Sequence, residues 1–155
     1  MIINEKLYQQ IVKMMPIPCV DLVIVDNLGR VLLLKRTNEP AKGEWWFPGG
    51  RVYYLESRLD AAKRKLREEC GLDVSQLTEL GTFDVIVERL DNGNQAHGVT
   101  TVYLAKVSSI TLVLDSQNSA AEWRFPSDWL KCRLNPFIER TLSIFTEHNE
   151  SLPHQ

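Results

Sequence analysis

A double glycine, Gly49-Gly50, is followed by Glu56, Arg64, Glu68 and Glu69 before the next glycine, Gly71. Packing alone asks for one apolar stripe and a stop signal, not for these charges at these spacings. Carboxylates and backbone carbonyls are hard oxygen donors. Mg²⁺ and Mn²⁺ take a few such ligands and keep waters for a phosphate substrate. Glycine lets the backbone come close to another group and lets a carbonyl point where a side chain would block it. With the loop folded back on a helix, the Gly49 carbonyl would join Glu68 and Glu69 around a cation. Arg64 could orient a carboxylate through a charge-assisted hydrogen bond. Taken alone, the same charges also fit a solvated helix face with an Arg64–Glu68 pair at i, i+4.

Such a site needs a helix with a loop before it. Ser57 to Cys70 predicts the helix. Ser57 and Asp60 resemble a capping box, and Gly71 stands where a C-cap glycine belongs. At 100° per residue, Leu59, Ala62, Leu66 and Cys70 form its buried stripe. Arg64, Lys65, Glu68 and Glu69 fall on the water-facing arc. The preceding loop, NEPAKGEWWFPGG, carries a short aromatic strand. Three consecutive aromatics cannot all face inward on a strand, so one is exposed to stack on a base or sugar or lies in a dimer contact; Trp46 and Phe47 are expected as part of the core and Trp45 at the surface.

Further out, Leu7, Ile11 and Met14 share one stripe of a helix that ends before Pro16. CVDLVIVDNLGRVLLLKR predicts two strands about the turn Asp26-Asn27-Leu28-Gly29, with Asp21 interrupting the first apolar run. Two long strands flank Asp91-Asn92-Gly93-Asn94. EWRF predicts a short strand, PSDWL a short helix, and NPFIERTLSIFTEH an amphipathic helix through Phe137, Ile138, Leu142 and Phe145. NESLPHQ is expected to be a frayed tail. The order helix, strands, helix, strands, helix predicts an α/β fold with a mixed sheet covered on both faces.

With 155 residues, 44% hydrophobic and 25% charged, the chain is expected to be one globular domain over residues 1–155. A net charge of −2 argues against a nucleic-acid surface. No stretch nears the ~20 apolar residues of a membrane span, and the first residues lack the build of a secretory signal. Cys19, Cys70 and Cys132 show no CxxC pairing, which argues for a reducing compartment and small buried thiols. A soluble cytoplasmic protein is expected.

The stretch from Gly50 to Leu72 resembles the Nudix box, G-x5-E-x7-R-E-U-x-E-E-x-G-U with U aliphatic. Gly50, Glu56, Arg64, Leu66, Glu68, Glu69, Gly71 and Leu72 match, eight of nine positions over 23 residues. The resemblance implies an α/β/α sandwich, a divalent cation, and hydrolysis of a nucleoside diphosphate linked to another group. It implies Glu68, Glu69 and the Gly49 carbonyl as metal ligands, and a homodimer. The departure is Lys65, where the pattern has a glutamate that binds metal or activates water. A charged lysine does neither.

DLVIVDNLGRVLLLKRTNEPAKGEWWFPGGRV, TTVYL and SQNSAAEWRFPSDWL are further similar to the GDP-mannose mannosyl hydrolase branch, which attacks the sugar carbon and releases GDP and mannose. Arg36 and Arg51 flank the diglycine loop and suit phosphate oxygens of such a substrate; Arg36 is otherwise an exposed strand-end charge. Asp21 matches a sugar-binding aspartate there, or is a strand residue tied to a turn. Tyr103 would touch the diphosphate, or pack in the sheet. Where the branch has Gln-His, its histidine the general base, this chain has Gln117-Asn118. Gln117 can offer an oxygen to the metal, but Asn118 cannot take a proton near neutral pH. His97 and Glu122 are the substitutes for that missing group, Glu122 by resemblance to a Nudix glutamate before a tryptophan. Each is otherwise a solvated or strand-edge side chain. Two other functions stay open: a pyrophosphohydrolase attacking phosphorus with Glu68, Glu69 and Glu122, and a nucleotide-binding module without catalysis.

Overall fold

In this computed structural model, residues 3–88, 93–108, 111–114 and 118–151 are described. The central strand, β1 (Ile17–Val25), is buried on both faces beyond Cys19 and apolar there except at Asp21, as a strand covered on both sides should be. Its neighbours are β2 (Val31–Arg36), β3 (Trp45–Trp46), β4 (Gly49–Arg51), β5 (Thr78–Glu88), β6 (Gln95–Lys106) and β7 (Asn118–Arg124). They form a mixed seven-stranded sheet whose main path runs β3-β2-β1-β6-β5. The β1–β6 pair is parallel and the rest antiparallel; β4 joins β1, and β7 joins β2.

Helices α1 (Glu5–Met14), α2 (Arg58–Cys70), α3 (Pro126–Trp129) and α4 (Pro136–Glu150) complete the fold. Even-numbered residues of β1 (Val20, Leu22, Ile24) pack with Ala62, Leu66 and Cys70 of α2. Val23 and Val25 pack on the other face with Ile138, Leu142 and Phe145 of α4. The mixed sheet is covered on both faces, as the order of elements predicts, which is the α/β/α sandwich that the Nudix resemblance implies. Among the described residues no helix is long and apolar enough to cross a membrane.

The ends of α2 fall where the sequence puts them. Ser57 accepts the Asp60 amide at 3.0 Å and donates to its carboxylate at 2.7 Å, and Gly71 closes the helix in the left-handed conformation. The turn after β1 is held by Asp26, which accepts the Leu28 and Arg30 amides. Trp129 is fully buried and donates to the Val31 carbonyl at 2.8 Å, which pins α3 to β2.

Four expectations change. Leu59 is 40% exposed, and Ala61 is buried in its place. The small Ala61 and Ala62 let α2 come close to β1 and β4, which turns Leu59 outward. The stripe Leu7 and Met14 of α1 is exposed, because α1 turns Tyr8, Gln9 and Val12 toward a cleft rather than an apolar sheet face. Trp46 and Phe47 are buried as expected, but Trp45 is half-buried against Trp129, ring centroids 5.3 Å apart. Of the three free thiols only Cys70 is fully buried. Asp91, Asn92 and the last four residues of the tail lie outside the described residues.

Candidate active site

Helix α2 buries two adjacent stripes. Ala62, Leu66 and Cys70 face the sheet core; Ala61, Lys65 and Glu69, spaced i, i+4, i+8, form the second. Lys65 and Glu69 are therefore not on a water-facing arc. The reason is remote in sequence: β4 folds over that side of the helix. Glu69 is 1% exposed, and its Oε2 accepts the Gly49 amide at 2.6 Å. The Asn118 side chain donates to its other oxygen at 3.3 Å. A buried carboxylate needs such donors to stay charged. Glu68, one position earlier, is half-exposed at 46%. Gly49 thus meets Glu69 through its N–H, where the sequence reading has its carbonyl.

Arg64 ties this region together. It donates to both oxygens of Glu56, at 2.7 and 2.9 Å, to Glu68 at 3.1 Å and to the Arg51 carbonyl at 3.0 Å. Its guanidinium lies 3.8 Å from the Tyr53 ring centre. The fork holds the Glu56 carboxyl below its usual range. Orienting carboxylates is the role the spacing suggests for Arg64.

On the far side of β4 lies a cleft of about 680 Å³, within the size range of small-ligand sites. Asp21, Arg36, Arg51, Tyr8, Trp46 and Gly50 are among its lining residues. The Arg51 guanidinium stacks 4.2 Å over Tyr8, and Arg36 donates to the Pro40 carbonyl at 2.9 Å. Asp21 is 7% exposed and accepts the Thr100 hydroxyl at 2.6 Å. Burial pushes its carboxyl up to about 7, against the pull of that hydroxyl and of the Arg36 charge. A Cβ on Gly49 would lie 2.6 Å from Asp21 Oδ1 and 2.3 Å from the Val20 carbonyl, so only glycine fits between them. Asp21 and Glu69 thus approach the same residue, and the cleft and the helical acids meet there.

Other candidates lie elsewhere. Tyr103 is 6% exposed and packs on the α2 face with Leu22 and Leu66, because strand alternation turns it away from the Thr100 side. Glu122 pairs with Arg124 across the sheet from α2, since Ala121 and Trp123 take the α2 face. It is not brought to Glu68 or Glu69. His97 stands on the cleft's rim, with Nε2 3.6 Å from Asp84. Gln117 lies outside the described residues. In place of Glu122, Asn118 reaches Glu69, helped by a register shift at Lys35/Arg36 that pairs Arg36 with Asn118. No sequence signal marks that shift. Thr100 and Tyr8, the partners of Asp21 and Arg51, read from sequence as ordinary strand and helix residues.

The NUDIX domain model matches residues 15–143. A low-salt glycan biosynthesis protein, Agl8 of Haloferax volcanii, is 36% identical over 138 residues, 87% of this chain and 85% of that protein. The chain belongs to the NUDIX domain family. An ADP-ribose pyrophosphatase of Methanocaldococcus jannaschii is 31% identical over 84 residues, 54% of this chain and 47% of its own. The NUDIX domain of Shewanella oneidensis NrtR, solved with ADP ribose, superposes with a TM-score of 0.72 at 23% identity, covering 95% of this chain and 99% of that one, and shows the fold. By class the protein is a Nudix hydrolase.

Nudix hydrolases generally use divalent metals. Among the described residues no three His, Cys, Asp or Glu side chains form a ready-made metal cluster. The box of this Nudix hydrolase nevertheless offers adjacent hard oxygens from Glu68 and Glu69. Glu56, Glu68 and Glu69 stand against Arg64 and Lys65, which leaves one net negative charge. That donor set fits a divalent cation.

Proposed function

We propose that this Nudix hydrolase acts on a nucleoside diphosphate derivative, with a nucleotide sugar of the GDP-mannose type as first choice, releasing GDP and free sugar. The observation that carries the reading is the meeting of the arginine-lined cleft with the helical acids at Gly49. Glu68 and Glu69, with the Gly49 carbonyl and Gln117 as further ligands, would hold one Mg²⁺, with Mn²⁺ as its substitute. The ion's chemistry is neutralisation of the charge that grows on a leaving diphosphate. Arg36 and Arg51 bind phosphate oxygens. Arg64 fixes Glu56 and Glu68, and Asp21 takes a sugar hydroxyl. The name of the Haloferax relative ties that protein to glycan biosynthesis, which favours a sugar-bearing substrate. A homodimer is what the family resemblance implies, and light scattering checks it.

The test is a panel of nucleotide sugars and nucleoside triphosphates with Mg²⁺ or Mn²⁺. GDP plus free sugar, with ¹⁸O from labelled water in the sugar, supports the reading. GMP plus sugar phosphate moves the attack to phosphorus, the chemistry named for the Methanocaldococcus relative. Binding without turnover at any pH leaves a nucleotide-binding module.

A further inference from the structure

The box position that departs from the family pattern holds a lysine with a built seat. The Lys65 side chain is 10% exposed. Its stem lies over Gly50, where an added Cβ would come 2.9 Å from Lys65 Cε and 3.2 Å from Cδ. Gly50 is itself part of the cleft lining. The Lys65 Nζ stands 3.6 Å from Glu68 Oε2 and 3.9 Å from Glu69 Oε2. Both distances exceed a hydrogen bond, so the ammonium faces the two acids as a charge without being locked to either. Lysine is rarely this buried unless its charge is paired.

We propose that Lys65 is a fixed cation of the active site. It stands in for a second divalent ion, limits the box to one, and draws a diphosphate toward the site through its charge. This rests on the reading above that the box grips a divalent ion beside a diphosphate. The physics gives the charge two opposite effects. An ammonium within about 4 Å of both acids repels an incoming cation and attracts an incoming anion. A lysine that only fills space would do neither.

Lys65→Met keeps the stem's packing against Gly50 and removes the charge. Mn²⁺ uptake without nucleotide is measured by electron paramagnetic resonance, and GDP binding in EDTA by calorimetry. The variant is expected to bind Mn²⁺ about tenfold more tightly and GDP about tenfold more weakly, the scale of one charge at this range. Lys65→Glu is expected to raise Mn²⁺ stoichiometry from one to two per chain. If circular dichroism shows that Lys65→Glu does not fold, the opposed shifts of Lys65→Met decide alone. Affinities that stay put, or move in the same direction, overturn the Lys65 role while leaving the metal reading intact. A wild-type protein that takes up no Mn²⁺, with or without GDP, overturns both.

Discussion

Asp21, inside β1, and Asp26, just past its end, are each 7% exposed, yet their surroundings are opposite. Asp26 accepts two amides, at 3.0 and 2.9 Å, and the Arg30 guanidinium at 2.7 Å. Burial opposes its charge, but those donors outweigh burial and hold its carboxyl below the usual range. Asp21 has the Thr100 hydroxyl and the Trp46 side chain, with Glu69 nearby as a like charge, and burial wins. Solvent exposure alone therefore says little about what a carboxylate is for. The one saturated by backbone donors fixes a turn. The one left short of donors faces the cleft, where a ligand can supply them.

The widest gap between the two should appear in how stability depends on pH. Asp21 keeps its proton up to about 7 in the folded chain, while the unfolded chain ionises near 3.8. The folded state holds the extra proton, so Asp21 lowers stability as pH rises through that interval. In EDTA, Asp21→Asn should be more stable than wild type at about pH 8, by at most about 4 kcal/mol, and nearly equal at about pH 4. Urea unfolding at both values measures it. A difference that is the same at the two pH values removes the contrast with Asp26.

Next in size is Arg64, which saturates Glu56 as Arg30 saturates Asp26, though with one guanidinium spread over more groups. Arg64→Ala leaves Glu56 and Glu68 without that cation, and a cost of about 3 kcal/mol is expected from losing one partner of a largely buried pair. Arg64→Lys should recover less than half, because a point charge cannot make the fork. Full recovery by lysine would mean that charge, not geometry, matters here. Thermal unfolding of both variants decides.

Asp26→Ala should cost about 2 kcal/mol at neutral pH, from two amides and a guanidinium left without their acceptor. Its folded carboxyl is held low, so the stabilisation is present above the ordinary carboxylate value and fades as pH falls through the folded one. The difference from wild type should therefore shrink below about pH 4, where the Asp21→Asn difference is also smallest. Chemical denaturation across this range checks the sign; a cost that grows toward acid pH would contradict the assignment.

What was legible in the sequence follows the range of the interactions. Helix α2 is readable to its ends because Ser57 and Gly71 act within one turn. The two-faced burial of β1 is readable because it lies in the run of apolar residues itself. Lys65 and Glu69 defeat the helical wheel, since their burial comes from β4, about twenty residues upstream. Asn118 escapes for a similar reason. It reaches Glu69 only through a register shift between β2 and β7, and no local pattern encodes one. The Nudix box survives as a motif because its spacing is set by one helix and the loop before it.

Glu122 carries the smallest expected effect. Its carboxylate is 42% exposed and bound to Arg124, which lies 4.6 Å from the Trp129 ring centre and donates to the Cys132 sulfur. That cluster belongs to the α3 side of the sheet, whereas Glu68 and Glu69 project from α2 on the other. Glu122→Gln should therefore change kcat by less than about twofold and stability by under about 1 kcal/mol, as exposed ion pairs do. If instead turnover falls a hundredfold with stability unchanged, Glu122 serves the reaction after all. Both chemistries offer it a part, as the base that replaces the missing histidine or as the glutamate of attack at phosphorus, and the position of ¹⁸O in the products then tells which.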